Sequence, residues 1–431
     1  MPDDETQILS HGTEPRTAAD FPTPTQSPAG WTIKLVMVGI VLAALNLRPA
    51  ITSLGPLLEE VQQSLGMSDS VAGLLTSVPS LCFAVFGILA PRLARRFGPG
   101  AIVCAGMVAI AAGLLIRPFA GGTVGFLAAS ALALMGIAVS NVLMPVIVKR
   151  YFPDRVGSMT GLYSMALALG TSLAAAVTVP LTHSMGDNWH WGLGVWAALA
   201  VVAVVPWVAL VRDRSATAAQ EAQASRTSAQ PAPPAIRITR SRTAWALACF
   251  FGLQATAAYI TMGWMPQIFR DAGVSASTAG VLLAVTMAMG VPLAFVIPRL
   301  ATRMKNQGPI VAVLGACGLV GYAGLFLAPA GGAWAWALLL GIANCSFPLA
   351  LTMIGMRSRT GAGVVRLSAF AQSTGYLLSI PGPLLVGVLY EHSGSWGLPI
   401  ALMAGLMVPQ IAVGILAGRD RTIEDECGMR D

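Results

Sequence analysis

The sequence predicts an all-α membrane protein of twelve transmembrane helices, arranged as two six-helix halves built from parallel repeats. Three observations predict it. Of the 431 residues 55% are hydrophobic and 10% charged, where an ordinary soluble domain is about a quarter charged. Apolar runs of about 20 residues, the length that crosses a hydrocarbon core about 30 Å thick, recur along nearly the whole chain. These runs also fall into two matching sets around a single polar interruption, residues 212–242.

Taken in order, residues 1–32 are expected to form a disordered cytoplasmic tail. The first 30 are polar and Pro/Thr-rich, carry five carboxylates and lack the apolar core of a signal peptide. Span 1 (33–57) carries Arg48 inside "AALNLRPAITSLGP". Span 2 (71–94) runs into the basic stretch "GILAPRLARRFG". Span 3 (99–119) ends beside Arg117, and span 4 (123–148) holds Asn141 and is followed by Lys149, Arg150 and Arg155. Span 5 (157–181) holds Tyr163 in the proline-free stretch "GLYSMALALGTSLAAAV", and span 6 (191–211) completes the first half, 33–211. The segment "RDRSATAAQEAQASRTSAQPAPPAIRITRSR", 212–242, is Ala/Ser/Pro-rich without helical apolar periodicity and reads as a cytoplasmic linker. The second half, 243–418, comprises span 7 (243–267, with Gln254, Tyr259 and Trp264), span 8 (277–300) and span 9 (308–328). Span 10 (332–356, with Asn344), span 11 (363–390) and span 12 (396–418) follow, and 419–431 reads as a cytoplasmic tail.

The halves resemble one another at constant offset, as parallel-repeat transporters do. At 207, Pro91-Arg92-Leu93-Ala94 matches Pro298-Arg299-Leu300-Ala301, Arg96 matches Arg303, and Ala72-Gly73 matches Ala279-Gly280. At 205, Gly136-Ile137-Ala138 matches Gly341-Ile342-Ala343, and Gly170 matches Gly375. In order and at corresponding helices, these matches favour duplication. Orientation follows from the excess of Lys and Arg in cytoplasmic loops. With both termini cytoplasmic, 23 of the 26 Lys and Arg lie on or beside that side, the exceptions being Arg48, Arg117 and Arg270. The net charge of +7 is thus a topology signal rather than a nucleic-acid footprint.

Six plus six helices, a central loop and internal termini resemble the major facilitator superfamily over residues 33–418. The loop "GILAPRLARRFG" is similar to that superfamily's G-x-x-x-D-R-x-G-R-K signature, with Gly87, Arg92, Arg95 and Arg96 in matching positions, which implies a gating role for them. Pro91 stands where an Asp is usual and Ala94 where a Gly is usual, so the carboxylate-centred latch common in the superfamily is not expected here. Three stretches, "NLRPAITSLGPLL", "AGLLTSVPSLCFAVFGILAPRLARRFG" and "LSAFAQSTGYLLSIPGPLLVGVLYEHSGSW", resemble the cyanate permease and 2-nitroimidazole transporter family. The resemblance implies a secondary transporter working by rocker-switch alternating access in the plasma membrane, with the bilayer and a small solute as partners and a monomer as working unit. It does not fix the substrate.

The chemistry centres on Arg48. It lies about fifteen residues into span 1, near the bilayer midplane, where a charged arginine costs from about 2.5 to over 10 kcal/mol. Pro49 frees the carbonyl of Leu45 from its helical donor. On a regular helix Val41, Ala44, Arg48, Thr52 and Gly55 share one face, with Asn46 and Ser53 opposite. Two readings stand: a structural clamp on carbonyls exposed by Pro49, or a ligand for an anionic or strongly accepting substrate. All 19 Asp and Glu fall in tails, loops or helix ends, so no mid-span carboxylate is expected to pair with Arg48, and this favours the substrate. In span 11, Ser368, Gln372, Tyr376, Ser379 and Pro383 form a polar stripe within about 80°, either interhelical glue or cavity lining. Leu167 occupies the position in span 5 corresponding to Gln372, which favours the cavity. Together with Arg48 and Thr52, the candidate substrate residues are Asn141, Tyr163, Gln254, Tyr259, Asn344, Gln372 and Tyr376.

No cofactor or metal is expected. The histidines His11, His183, His190 and His392 lie outside the apolar spans, no CxxC pair occurs, and no G-x-x-x-x-G-K-[ST] loop is present. A membrane-embedded enzyme lacks a buried acid, base or nucleophile pair, and a passive channel fits two halves poorly. A broad-specificity drug exporter of the same superfamily is the alternative, although the proline-containing span 5 pattern of drug/proton antiporters is missing.

Overall fold

The computed structural model describes residues 30–214 and 238–426. Residues 1–29, 215–237 and 427–431 lie outside the described residues, and with them most of the expected tails and linker. Among the described residues all regular structure is helical. Twelve spans are long and apolar enough to cross a membrane: Trp31–Leu65, Asp69–Phe97, Pro99–Phe119, Thr123–Tyr151, Ser158–Ser184, Trp189–Val211, Arg242–Asp271, Ala276–Arg303, Gly308–Leu327, Ala333–Met356, Gly363–Ser393 and Gly397–Ala417. They keep the numbers 1 to 12. An even number of crossings puts both ends of the chain on one face, the termini side, opposite a far side.

In the first half span 1 lies against spans 5 and 6, and span 3 against spans 4 and 6. In the second, span 7 lies against spans 11 and 12, and span 9 against spans 10 and 12. The halves meet where span 2 packs on span 11 and span 5 on span 8. Exchanging the halves turns one contact into the other, as duplication requires. The repeated Ala-Gly pair explains how close the halves come. A Cβ on Gly73 would stand 2.9 Å from the carbonyl of Leu384, and one on Gly280 would stand 2.6 Å from the carbonyl of Ala175. Both glycines let one half's backbone touch the other's, which is how small residues drive packing where lipid removes the hydrophobic incentive.

Several spans are interrupted beside a proline. Span 1 is helical over Gly30–Asn46, breaks at Leu47 and Arg48, and resumes as Pro49–Thr52, Gly55–Leu57 and Leu58–Leu65. Arg48 sits at φ −126°, ψ −27°, because the ring of Pro49 removes one amide donor and pushes the preceding residue out of helical geometry. The single regular helical face expected for Arg48 is therefore replaced by a break. Spans 8, 10 and 11 divide at Met289, Cys345 and Ile380, each just ahead of or at the N-terminal side of Pro292, Pro348 or Pro381. Such breaks at membrane depth are tolerated where protein or a cavity surrounds them.

Four boundaries differ from expectation. Gly87, Arg92, Arg95 and Arg96 are not in a loop: they belong to the continuous helix Asp69–Phe97, whose last turn carries Arg95 and Arg96, where cations meet the negative end of the helix dipole. Helix begins at Gly30, inside the expected tail. The expected linker loses Arg212–Arg214 to span 6 and Arg242 to span 7. The expected C-terminal tail contains the short helix Ile423–Glu426, which docks on the bundle. There Glu424 accepts from the Ser358 hydroxyl at 2.6 Å and Glu426 from the Ser241 and Thr243 hydroxyls at 2.6 and 2.8 Å.

Candidate functional site

The break in span 1 puts Arg48, only 9% exposed, at the seam between the halves. Tyr259 from span 7, Tyr376 from span 11 and Tyr163 from span 5 are the tyrosines in its electrostatic neighbourhood. Both halves thus contribute to one tyrosine cage around one cation. Among the described residues the guanidinium has no hydrogen bond to a main-chain carbonyl and no carboxylate within ion-pair distance. The carbonyl of Leu45, freed by Pro49, is met instead by Gly170 of span 5, which has no room there for a Cβ.

The surroundings are aromatic and polar in different directions. The ring of Tyr376 stacks on Phe83 of span 2, with centroids 4.9 Å apart, and meets Phe251 of span 7 edge-on at 5.1 Å. Tyr163 donates to the Asn141 Oδ1 at 2.5 Å. Gln254 donates to Asn344 at 3.4 Å and leaves its own buried Oε1 without a hydrogen-bond partner among the described residues. Gln372 pairs with Ser368 at 2.6 Å. Asn141, Tyr163, Asn344, Ser368 and Gln372, on the termini side of Arg48, are half-buried, whereas Tyr259, Tyr376 and Gln254 are buried.

The structure therefore brings Arg48, Tyr163, Tyr259 and Tyr376 together, with Asn141 attached through Tyr163. Gln254 with Asn344, and Gln372 with Ser368, form separate polar pairs. Thr52 is buried and its hydroxyl is committed to the carbonyl of Arg48 at 3.2 Å. The span 11 stripe divides: Ser379 joins the halves through Ser80 at 2.8 Å, so that serine is glue, while Tyr376 faces the arginine. Asn46 stays within its half, donating to the carbonyls of Leu42 and Leu199.

On the far side the halves are latched. Arg270 of span 7 binds Glu60 with two hydrogen bonds of 3.0 Å, Glu59 at 2.8 Å and the carbonyl of Pro56 at 2.9 Å. Glu391 of span 11 accepts from the amide of Ser70 at 2.9 Å, at the positive end of the span 2 helix. Asp271 gathers Gln267, Tyr390 and Trp396 at 2.7–2.8 Å. The missing carboxylate in "GILAPRLARRFG" thus has counterparts on the opposite face. Sequence reasoning passed over Phe83 and Phe251, which carry no signal beyond being apolar. It also counted Arg117 only as a charge on the wrong side, although "RPF" repeats the Arg-Pro pair of Arg48-Pro49.

The major facilitator superfamily matches residues 36–361. An uncharacterised transporter of Bacillus subtilis (strain 168), YycB, is 37% identical over 90% of this chain and 94% of its own. The 2-nitroimidazole transporter of Escherichia coli (strain K12) is 32% identical over 90% and 96%, and the cyanate transport protein CynX of the same strain 30% over 86% and 95%. Among solved structures a D-xylose-proton symporter superposes with a TM-score of 0.70 over 92% of this chain and 99% of its own, at 11% identity. The nucleoside transporter NupG does so with a TM-score of 0.69 over 90% and 98%, at 13% identity; at these identities the likeness concerns the fold.

Proposed function

Because this chain belongs to the major facilitator superfamily, we propose that it is a secondary transporter for a small anionic or acceptor-rich solute, cyanate-like or nitroimidazole-like, bound at Arg48. The observation that carries this reading is the buried arginine between the halves, with three tyrosines around it and no carboxylate among the described residues within ion-pair distance. An uncompensated guanidinium at membrane depth is costly, and a bound anion or polarised acceptor group offsets that cost with charge-assisted hydrogen bonds. The stacked pair Phe83 and Tyr376 suits a flat conjugated solute beside the charge, in keeping with the 2-nitroimidazole and cyanate transporters among its relatives.

The seam supports rocker-switch alternating access. With the far side latched through Arg270 and Glu391, and the polar residues on the termini side half-buried, the site opens toward the termini. We assign that face to the cytoplasm of the cell, from the 23 of 26 Lys and Arg on or beside it, and take the monomer as the working unit.

Counterflow in proteoliposomes tests the reading. Labelled cyanate or 2-nitroimidazole should exchange in wild type and stop exchanging in Arg48→Gln. Unaltered exchange in that variant, or exchange confined to bulky cationic drugs, would favour the broad drug exporter instead.

A further inference from the structure

Arg117 ends span 3 on the far side, yet it is only 2% exposed. Its Nη1 donates to the carbonyl of Ala50 at 2.8 Å, just past the break in span 1. Its Nε and Nη2 have no hydrogen-bond partner among the described residues, nor does any described carboxylate reach it. The ring of Phe126 lies 5.6 Å beneath the guanidinium, a cation–π contact that offsets part of the desolvation but satisfies neither N–H group. One helical turn further along span 4, on the same face, Ser130 is also buried with its hydroxyl unpartnered.

Arg117 and Ser130 line one narrow cavity of about 20 Å³, bounded also by Ala50, Thr76 and Tyr259. Natural interiors rarely leave three donors of two side chains idle around a shared space, and a buried cation without a counter-charge is the strongest exception of all. Tyr259 belongs to both environments, since it interacts with Arg48 on one side and borders this cavity on the other.

We propose that Arg117 and Ser130 form a second, outer binding site for a small monovalent anion, separated from Arg48 by Tyr259. The inference rests on the anion reading of Arg48 for its role, a staging point between the central site and the far side, but not for its existence. The fork of Nε and Nη2 offers two parallel donors to a narrow linear pseudohalide, and Ser130 supplies a third. Far-side closure by the Arg270 latch leaves an anion here out of bulk water, and opening of that latch releases it.

Equilibrium dialysis of labelled thiocyanate against full-length protein in detergent tests the site by stoichiometry. Wild type should bind two per chain, Arg48→Gln one, Arg117→Gln one, and the double variant none. Ser130→Ala leaves the Arg117–Ala50 hydrogen bond in place, so it serves if Arg117→Gln fails to fold, and it should weaken one of the two sites at least fivefold. One site in wild type that is lost in Arg48→Gln and kept in Arg117→Gln overturns the outer site and leaves the central reading standing. One site with the reverse pattern supports the outer site and overturns the central reading. No binding to wild type overturns both, and unchanged affinity at both sites in Ser130→Ala overturns the pairing with the serine.

Discussion

Replacing Glu59 and Glu60 together by glutamine removes both carboxylates that hold Arg270 on the far side. The Arg270 side chain is 16% exposed and its partners 37% and 36%, so the network lies between two regimes. Exposed ion pairs contribute about 0.2–1 kcal/mol, and hydrogen bonds to charged groups about 1.5–3 kcal/mol. With two bonds to Glu60 and one contact to Glu59, and with amide acceptors remaining in the variant, the loss should be about 2 kcal/mol. At about 1.4 kcal/mol per tenfold, the ratio of far-side-open to far-side-closed protein rises roughly 30-fold. Spin labels at Ser64→Cys and His392→Cys, both exposed residues on opposite halves, report it in a cysteine-free background. The distance distribution should gain a long component in the double variant. An unchanged distribution, with an unchanged melting temperature, refutes the latch.

Three further outcomes are expected. Gly280→Val places a side chain where a Cβ would already stand 2.6 Å from the Ala175 carbonyl, so overpacking of about 1–3 kcal/mol should lower the melting temperature or open the far side; a variant that melts and labels like wild type contradicts the close-approach argument. Glu426→Gln weakens the clasp on Ser241 and Thr243 and should cost about 1 kcal/mol, as loss of a helix cap does. Burial works against charge on Glu424 and Glu426, but hydrogen bonds from Ser358, and from Ser241 and Thr243, outweigh it and hold both below the usual carboxylate value near 4.5. Their contribution is therefore complete above that value and is lost as pH falls through the folded value, so the gap in melting temperature between wild type and Glu426→Gln should be full at pH 7 and narrow progressively as the pH is taken below about 4.5. Topology is checked by impermeant thiol labelling of intact cells, which should miss Ala222→Cys and reach Asp187→Cys.

Twelve spans, the duplication and the placement of a charged Arg48 inside an apolar span were legible in the sequence because hydropathy and charge are local properties. The cage was only partly legible. Tyr163, Tyr259 and Tyr376 could be nominated one by one as polar residues in apolar helices, but their convergence depends on which faces spans 5, 7 and 11 turn inward, and hydropathy does not report that where lipid-facing and protein-facing sides are equally apolar. Ser379 shows the same limit: its position in the stripe is indistinguishable from that of Tyr376 until Ser80 is seen opposite. Arg117 escaped because a charge at the end of a span is ordinarily solvated, and only the neighbouring Ala50 carbonyl and Phe126 ring reveal that this one is enclosed. The basic stretch after span 2 reads as a loop by its charge, yet it continues the helix, since arginine is a good helix former and the rule that charge ends a span concerns the membrane rather than the backbone.

Thermal unfolding of detergent-purified wild type and Arg48→Gln, with and without cyanate, tests the central claim most directly. Among the described residues the guanidinium makes no hydrogen bond to a main-chain carbonyl, so removing it relieves a buried charge without orphaning the backbone. The account predicts that Arg48→Gln melts at or above the wild-type temperature, that cyanate raises the wild-type melt, and that it leaves the variant unmoved. A variant that melts lower and still gains full stabilisation from cyanate would show Arg48 to be a structural clamp, and the proposed site would be wrong.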